Sequence, residues 1–172
     1  MKKLIFALFL AFSGMAFISS CVNIDDTYED NLKKQEEYNK LVRNQYITDS
    51  TLIVKYIADS SLVAQIDTTY GFYYIIEKPG DENHPTANST AEVNYKGYLL
   101  NGTVFDKSEE DVSASISLSS LISGWRLGLP LIGVGGKIKL ILPSFYAYGM
   151  NEYGSIPANS VVIFDIELIS FY

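Results

Sequence analysis

The residues best suited to chemistry are few. There is one histidine, His84, and one cysteine, Cys21. His84 stands in a polar stretch beside Pro85 and reads as a surface residue. A Ser-His-Asp arrangement would have to recruit it, and no G-x-S-x-G element accompanies it. One histidine and one cysteine do not make a zinc site. Gly133-Val134-Gly135-Gly136 lacks the Lys-Ser/Thr and the following helix of a phosphate loop, so it reads as a turn. What remains is an aromatic and polar set in the C-terminal half: Phe105, Asp106, Trp125, Tyr148 and Phe164. By residue type alone the three apolar rings suit a hydrophobic core as well as a pocket. Asp106 taken alone is best read as a turn or helix cap. Tyr148 taken alone reads as a strand residue with a solvated hydroxyl.

The elements that must position these side chains are short strands and one helix. Residues 91–100 alternate and end at Asn101-Gly102, a turn signal. Residues 103–106 and 113–118 are further strand candidates. Residues 121–129 have helical spacing, with Leu121, Ile122, Trp125 and Leu129 on related faces, and Pro130 and Gly133 break the pattern. Gly135-Gly136 reads as a hairpin turn into a strand over 137–142. Residues 161–171 alternate as a last strand. Upstream, residues 70–77 are rich in aromatic and β-branched types and stop at Pro79-Gly80. Several strands and one helix predict an α+β domain, an antiparallel sheet curled over the helix.

Two helices precede the sheet. Residues 23–44 are polar, with a capping-box pattern at Asp26-Thr27-Tyr28-Glu29 and a thin apolar stripe of Leu32, Leu41 and Val42. This predicts a solvated spacer. Residues 49–62 predict a second short helix, capped by Asp49 or Ser50, that buries Leu52, Ile53, Tyr56 and Ile57.

The first twenty residues form an address. Met1-Lys2-Lys3 is basic, residues 4–18 are almost unbroken apolar, and Ser19-Ser20-Cys21 follows. The run is short for a membrane span. Hydrophobic residues make up 48% of the 172 and charged residues 19%, the composition of a globular chain. The net charge is −7, and the basic N-terminus makes the remainder more acidic still. Such a body repels phosphate backbones, which argues against a nucleic-acid partner. With one cysteine no intramolecular disulfide can form.

Ile18-Ser19-Ser20-Cys21 resembles the lipobox of bacterial lipoproteins. The resemblance implies cleavage before Cys21 and acylation of that residue. Each buried methylene of an acyl chain adds roughly 0.8 kcal/mol to membrane anchoring. Acidic residues close behind, Asp25-Asp26, resemble an outer-leaflet export signal, although a solvated linker fits them equally. The expected organisation is a lipoprotein signal peptide over 1–20, a polar helical stalk over 21–69 and a domain over 70–172, its motifs within 93–172. The expected location is the cell envelope, anchored to the membrane through Cys21, with the outer membrane favoured.

In the domain, Val93-Asn94-Tyr95-Lys96-Gly97 is similar to the V-x-Y-x-G strand of FKBP-type prolyl isomerases. Leu100 to Ser108 resembles the family's L-x-D/N-G-x-x-F-D-S-S segment, and Leu121-Ile122-Ser123-Gly124-Trp125 its V-I-x-G-W. Gly135-Gly136-Lys137 with Leu140-Ile141-Leu142-Pro143, then Tyr146-Ala147-Tyr148-Gly149, Ile156-Pro157 and the strand from Val162 to Leu168 follow in family order. The resemblance implies a sheet wrapped around a short helix, a pocket between them, and isomerisation of X-Pro bonds in exported polypeptides with no cofactor or metal. Trp125 would be the floor beneath the proline ring, and Phe105, Leu121, Ile122 and Phe164 its walls. The Tyr148 hydroxyl and the Ile156 backbone N–H would hold substrate carbonyls. Asp106 would set a negative field near the carbonyl carbon or hold Tyr95, which also lines the pocket. Macrolide inhibitors of the family become candidate ligands. Ala114, Tyr153 and Ser155 depart from the pattern, and Ala114 predicts a reduced wall. A peptide-binding module without turnover and a structural envelope lipoprotein remain alternative functions.

Overall fold

The computed structural model describes residues 24–109 and 112–172. The lipobox, Cys21 and the proposed signal peptide lie outside the described residues. Helix α1 spans Ile24–Asp59. From Glu37 to Tyr172 the chain closes into one compact unit.

Seven strands form one antiparallel sheet: β1 Gln65–Ile66, β2 Tyr73–Lys78, β3 Thr90–Leu99, β4 Val104–Lys107, β5 Ala114–Ser117, β6 Lys137–Leu142 and β7 Val162–Phe171. A six-residue helix α2, Ser123–Gly128, joins β5 to β6 and runs on into a 3-10 turn, Leu129–Leu131, at Pro130. The strand order is β1-β2-β6-β7-β3-β4, with β5 also paired to β3. β3 is the hinge of this arrangement. One edge pairs with β7 over its whole length, and the other is shared between β4 at Lys96–Tyr98 and β5 at Thr90–Val93.

Both faces of the sheet carry buried apolar residues. On the inner face Val93, Trp125, Leu129, Leu140, Leu142, Phe164 and Ile166 belong to the main core. Helix α2 approaches β6 closely because Gly124 and Gly128 present no side chain. A Cβ on either would lie 2.3 or 2.5 Å from Leu142 or Leu140. On the outer face Ile53 of α1 packs with Ile141, Val161 and Ile163. β7 is therefore apolar on both sides through Phe164 and alternates only beyond it.

Several expectations change. One helix runs over Ile24–Asp59 where two were expected, since neither glycine nor proline interrupts it. Thr48 and Thr51 fit inside by donating their hydroxyls to the carbonyls of Asn44 and Ile47. Asp49 does not cap a helix; it is fully buried in the helix interior. Leu52 is 44% exposed, so the buried stripe is Asp49, Ile53 and partly Tyr56 and Ile57. The capping-box residues likewise lie inside α1. Finally, the turn at Gly135 follows a 3-10 segment rather than a strand, so it is not a β-hairpin.

Candidate active site

A cavity of about 250 Å³ opens on the inner face between α2 and β3, β4 and β7. Trp125, at the start of α2 and 3% exposed, forms its base. Its indole meets Tyr95 edge-to-face at 5.4 Å and Phe164 at 5.3 Å. Phe164 meets Phe105 at 5.6 Å, and Phe105 meets Tyr148 at 6.1 Å, again edge-on. Tyr148 is in turn stacked on Tyr153 at 4.8 Å. These near-perpendicular contacts suit the quadrupoles of aromatic rings and hold each ring in one orientation. Gly97 of β3 makes room for two of them. A Cβ there would lie 2.7 Å from both the Phe105 and Phe164 rings.

The break between β4 and β5 positions the polar groups. Ser108, just past β4, donates its N–H to the Tyr95 carbonyl at 3.0 Å and accepts the Tyr95 N–H on Oγ at 3.1 Å. This fixes Tyr95 opposite β4, where its hydroxyl donates to Asp106 Oδ2 at 2.9 Å. Burial, reinforced by that hydrogen bond to Asp106, pushes the Tyr95 phenol up to about 12. Burial, with Asp106 and Tyr153 nearby, pushes the Tyr148 phenol up to about 12 as well. Both hydroxyls are therefore protonated donors at neutral pH. The Tyr148 hydroxyl makes no hydrogen bond among the described residues.

The cavity gathers Tyr95, Asp106, Leu121, Ile122, Trp125, Tyr148 and Phe164. Two expected residues stand elsewhere. Phe105 does not line it but backs Tyr148 and Phe164. Ile156 is buried and outside the lining, and its N–H is already taken. It donates to the Tyr153 carbonyl at 2.9 Å while Tyr153 N–H donates back at 3.0 Å, closing a tight turn over Gly154 and Ser155. The Ile156 N–H is thus engaged within the chain in this conformation. The Ile122 N–H, just before α2, makes no hydrogen bond among the described residues and belongs to a lining residue.

Three lining residues carried no expected role: Ile116, Ser120 and Tyr153. Ile116 supplies the β5 wall, and Ala114, two residues away, is not in the lining. Strand alternation could have found Ile116; nothing local marked Ser120. The Ser120 hydroxyl donates to the Ser117 carbonyl at 2.8 Å and faces no base. Among the described residues, and apart from tyrosines, Asp106 is the one ionisable lining residue. The arrangement has the means to bind an apolar ring and to donate to carbonyls, and among the described residues it holds no nucleophile–base pair. His84 is not in this lining; it is exposed, with Nδ1 2.9 Å from the Pro130 carbonyl oxygen.

Residues 81–169 match the family of FKBP-type peptidyl-prolyl cis-trans isomerases. The FKBP-type peptidyl-prolyl cis-trans isomerase FkpA of Buchnera aphidicola subsp. Schizaphis graminum is 41% identical over 145 residues, which is 82% of this chain and 56% of that one. FkpA of Aeromonas hydrophila is 43% identical over 104 residues, 60% of this chain and 39% of that one. Among solved structures, FkpA from Escherichia coli superposes with a TM-score of 0.65 at 32% identity, covering 85% of this chain and 68% of the other. A peptidyl-prolyl cis-trans isomerase from Pseudomonas syringae pv. tomato gives 0.64 at 30% identity, covering 75% and 94%. The chain spans about half the length of the curated relatives it matches. By the matched residues and the shared fold, this chain belongs to the family of FKBP-type peptidyl-prolyl cis-trans isomerases.

Proposed function

We propose that the domain catalyses cis-trans isomerisation of X-Pro bonds in exported polypeptides, with no covalent step. Rotation about the amide is opposed by a barrier of about 18–20 kcal/mol, because twisting breaks resonance. Water bonded to the carbonyl oxygen favours the planar resonance form. Withdrawing the amide into an apolar cavity removes that stabilisation, and a cavity that fits the twisted amide better than either planar one lowers the barrier further.

The observation that carries this reading is an aromatic floor with open donors beside it. Trp125 would take the proline ring, with Leu121, Ile122 and Phe164 around it. The Tyr148 hydroxyl and the Ile122 N–H would hold the carbonyls on either side of the twisting bond. Asp106 would fix Tyr95 through its hydrogen bond. Its position at the cavity also suits a negative field beside the carbonyl carbon.

A protease-coupled assay on a proline tetrapeptide tests the proposal. The wild-type chain is expected to accelerate isomerisation, with Asp106→Ala and Tyr148→Phe each slower. No acceleration by the folded wild type sinks the isomerase reading. Binding of the peptide without turnover would favour a non-catalytic peptide-binding module instead. A macrolide of the family is expected to compete for the same cavity.

The export role rests on the sequence of residues 1–21. We infer a signal peptide over 1–20 and a lipid anchor at Cys21 in the cell envelope. Among the described residues no helix is long and apolar enough to cross a membrane. Cys21→Ser is expected to move the chain from the membrane fraction to the soluble fraction; retention in the membrane overturns the anchor.

A further inference from the structure

Helix α1 lies outside the residues that match the family, yet it holds the loop that carries Tyr148. Asp49 is fully buried, and Ser144, 95 positions away, is 2% exposed. Asp49 Oδ2 accepts the Ser144 backbone N–H at 2.8 Å and the Ser144 hydroxyl at 2.6 Å. Gln45 Nε2 donates to the other oxygen at 2.7 Å. The Ser144 carbonyl then accepts two more bonds, from the N–H groups of Ala147 at 3.0 Å and Gly149 at 2.8 Å. Those two residues bracket Tyr148. One carboxyl on α1 thus anchors one residue, and that residue anchors both sides of the tyrosine.

A buried carboxyl group is costly unless its hydrogen bonds are made. Here three donors converge on its two oxygens, the acceptor-only pattern of a carboxylate. An apolar contact could have held the loop against the helix. It could not have fixed the direction of the Ser144 peptide, from which the Tyr148 turn hangs.

We propose that Asp49 is a positioning residue for the cavity: through Ser144 it sets the Tyr148 hydroxyl where a substrate carbonyl meets it. The inference rests on the reading of the cavity as an X-Pro site. The catalytic power of a positioned group falls steeply with misplacement on the ångström scale. Asp49→Ala leaves two buried donors of Ser144 without a partner and frees the loop. Asp49→Asn keeps an acceptor oxygen for Ser144, provided the Gln45 amide turns over.

The test is a double-mutant cycle in the full chain. Asp49→Ala is expected to lower kcat/KM on the proline peptide by about tenfold in the wild-type background. In the Tyr148→Phe background it should cost less than about twofold, because the hydroxyl it positions is gone. Asp49→Asn should stay close to wild type. Equal losses in both backgrounds, or no loss in either, overturn the proposal. If Asp49→Ala does not fold, Ser144→Ala goes through the same cycle. Its expected loss is smaller, and equal losses or none overturn the proposal as before. A second readout is independent of turnover: the ring resonances of labelled tyrosine, with the Tyr148 signal assigned from its absence in Tyr148→Phe. The stacking on Tyr153 makes that signal sensitive to loop position. It should move in Asp49→Ala, or in Ser144→Ala, and hold in Asp49→Asn. An unmoved signal overturns the positioning role even if the wild type proves inactive as an isomerase. A wild type without turnover whose Tyr148 signal still follows Asp49 would fail the isomerase reading alone.

Discussion

The two faces of the sheet handle polar groups in opposite ways. On the outer face polar side chains answer one another. Lys139 bonds Asp165 and donates to the Tyr98 hydroxyl at 2.8 Å, and Lys137 faces Glu167 at 3.3 Å. On the inner face the rings are packed as tightly, but the Tyr148 hydroxyl and the Ile122 N–H are left open beside an apolar floor. Mutual satisfaction rigidifies a fold. Donors without a protein partner next to a cavity are available to a group that enters it. The same sheet therefore carries a structural face and a receptive one, and substitutions on each should separate stability from turnover.

The largest expected effect joins both properties on the inner face. Trp125→Ala removes a 3%-exposed indole that touches Tyr95 and Phe164. It should cost about 3–5 kcal/mol in urea unfolding. Isomerisation by the fraction still folded should fall towards the uncatalysed rate. A variant that kept its turnover would place the working surface elsewhere. On the outer face Ile163→Ala should cost about 2–5 kcal/mol, since Ile163 is fully buried against Ile53 and Ile141. Its kcat/KM should nonetheless stay within about twofold, a margin of about 0.4 kcal/mol in barrier. A large kinetic loss there would erase the distinction between the faces.

A smaller effect comes from overfilling. Gly97→Ala drives a methyl group into the Phe105 and Phe164 rings at 2.7 Å. Aromatic rings locked edge-to-face have little room to give, so the cost should be about 1–3 kcal/mol. The displaced Phe164 narrows the cavity, so KM should rise more than kcat falls. An unchanged KM would mean that the rings relax away from the substrate space.

How far the sequence foretold this division depends on the kind of information involved. Strand alternation reports which way side chains point, and it captured β3, β6 and β7. The ordered motifs named Trp125, Tyr148 and Asp106 because chemical type and spacing travel together in them. Hydrogen-bond status does not travel that way. Whether the Ile156 or the Ile122 N–H is open depends on closure of the turn between Tyr153 and Ile156, a contact with no local signature. Asp49 misled for a related reason. An aspartate before an apolar helical run is normally a cap, and only a partner 95 positions away explains one inside a helix.

The smallest effect at working pH should be none on either face, and the reason is shared. Tyr95 and Tyr148 inside, and Tyr98 outside, have phenols raised to about 12, in each case first by burial. Burial lowers the Lys139 ammonium, but its bonds to Asp165 and Tyr98 outweigh that and raise it to about 12. A group whose pKa is higher folded than unfolded holds its proton more tightly in the native state. Its contribution to stability is complete below the unfolded value and is lost as the pH climbs through the folded one. For all four groups that window runs from about 10 to about 12. Urea unfolding at fixed salt should therefore show no slope from these groups between pH 7 and 9, and a decline above 10. Tyr98→Phe and Tyr148→Phe should each flatten part of that decline, one from each face. If Tyr148→Phe flattened nothing, the Tyr148 hydroxyl would already be hydrated like a surface phenol. The inner face would then lose the partly buried, unpartnered donor that distinguishes it from the outer one.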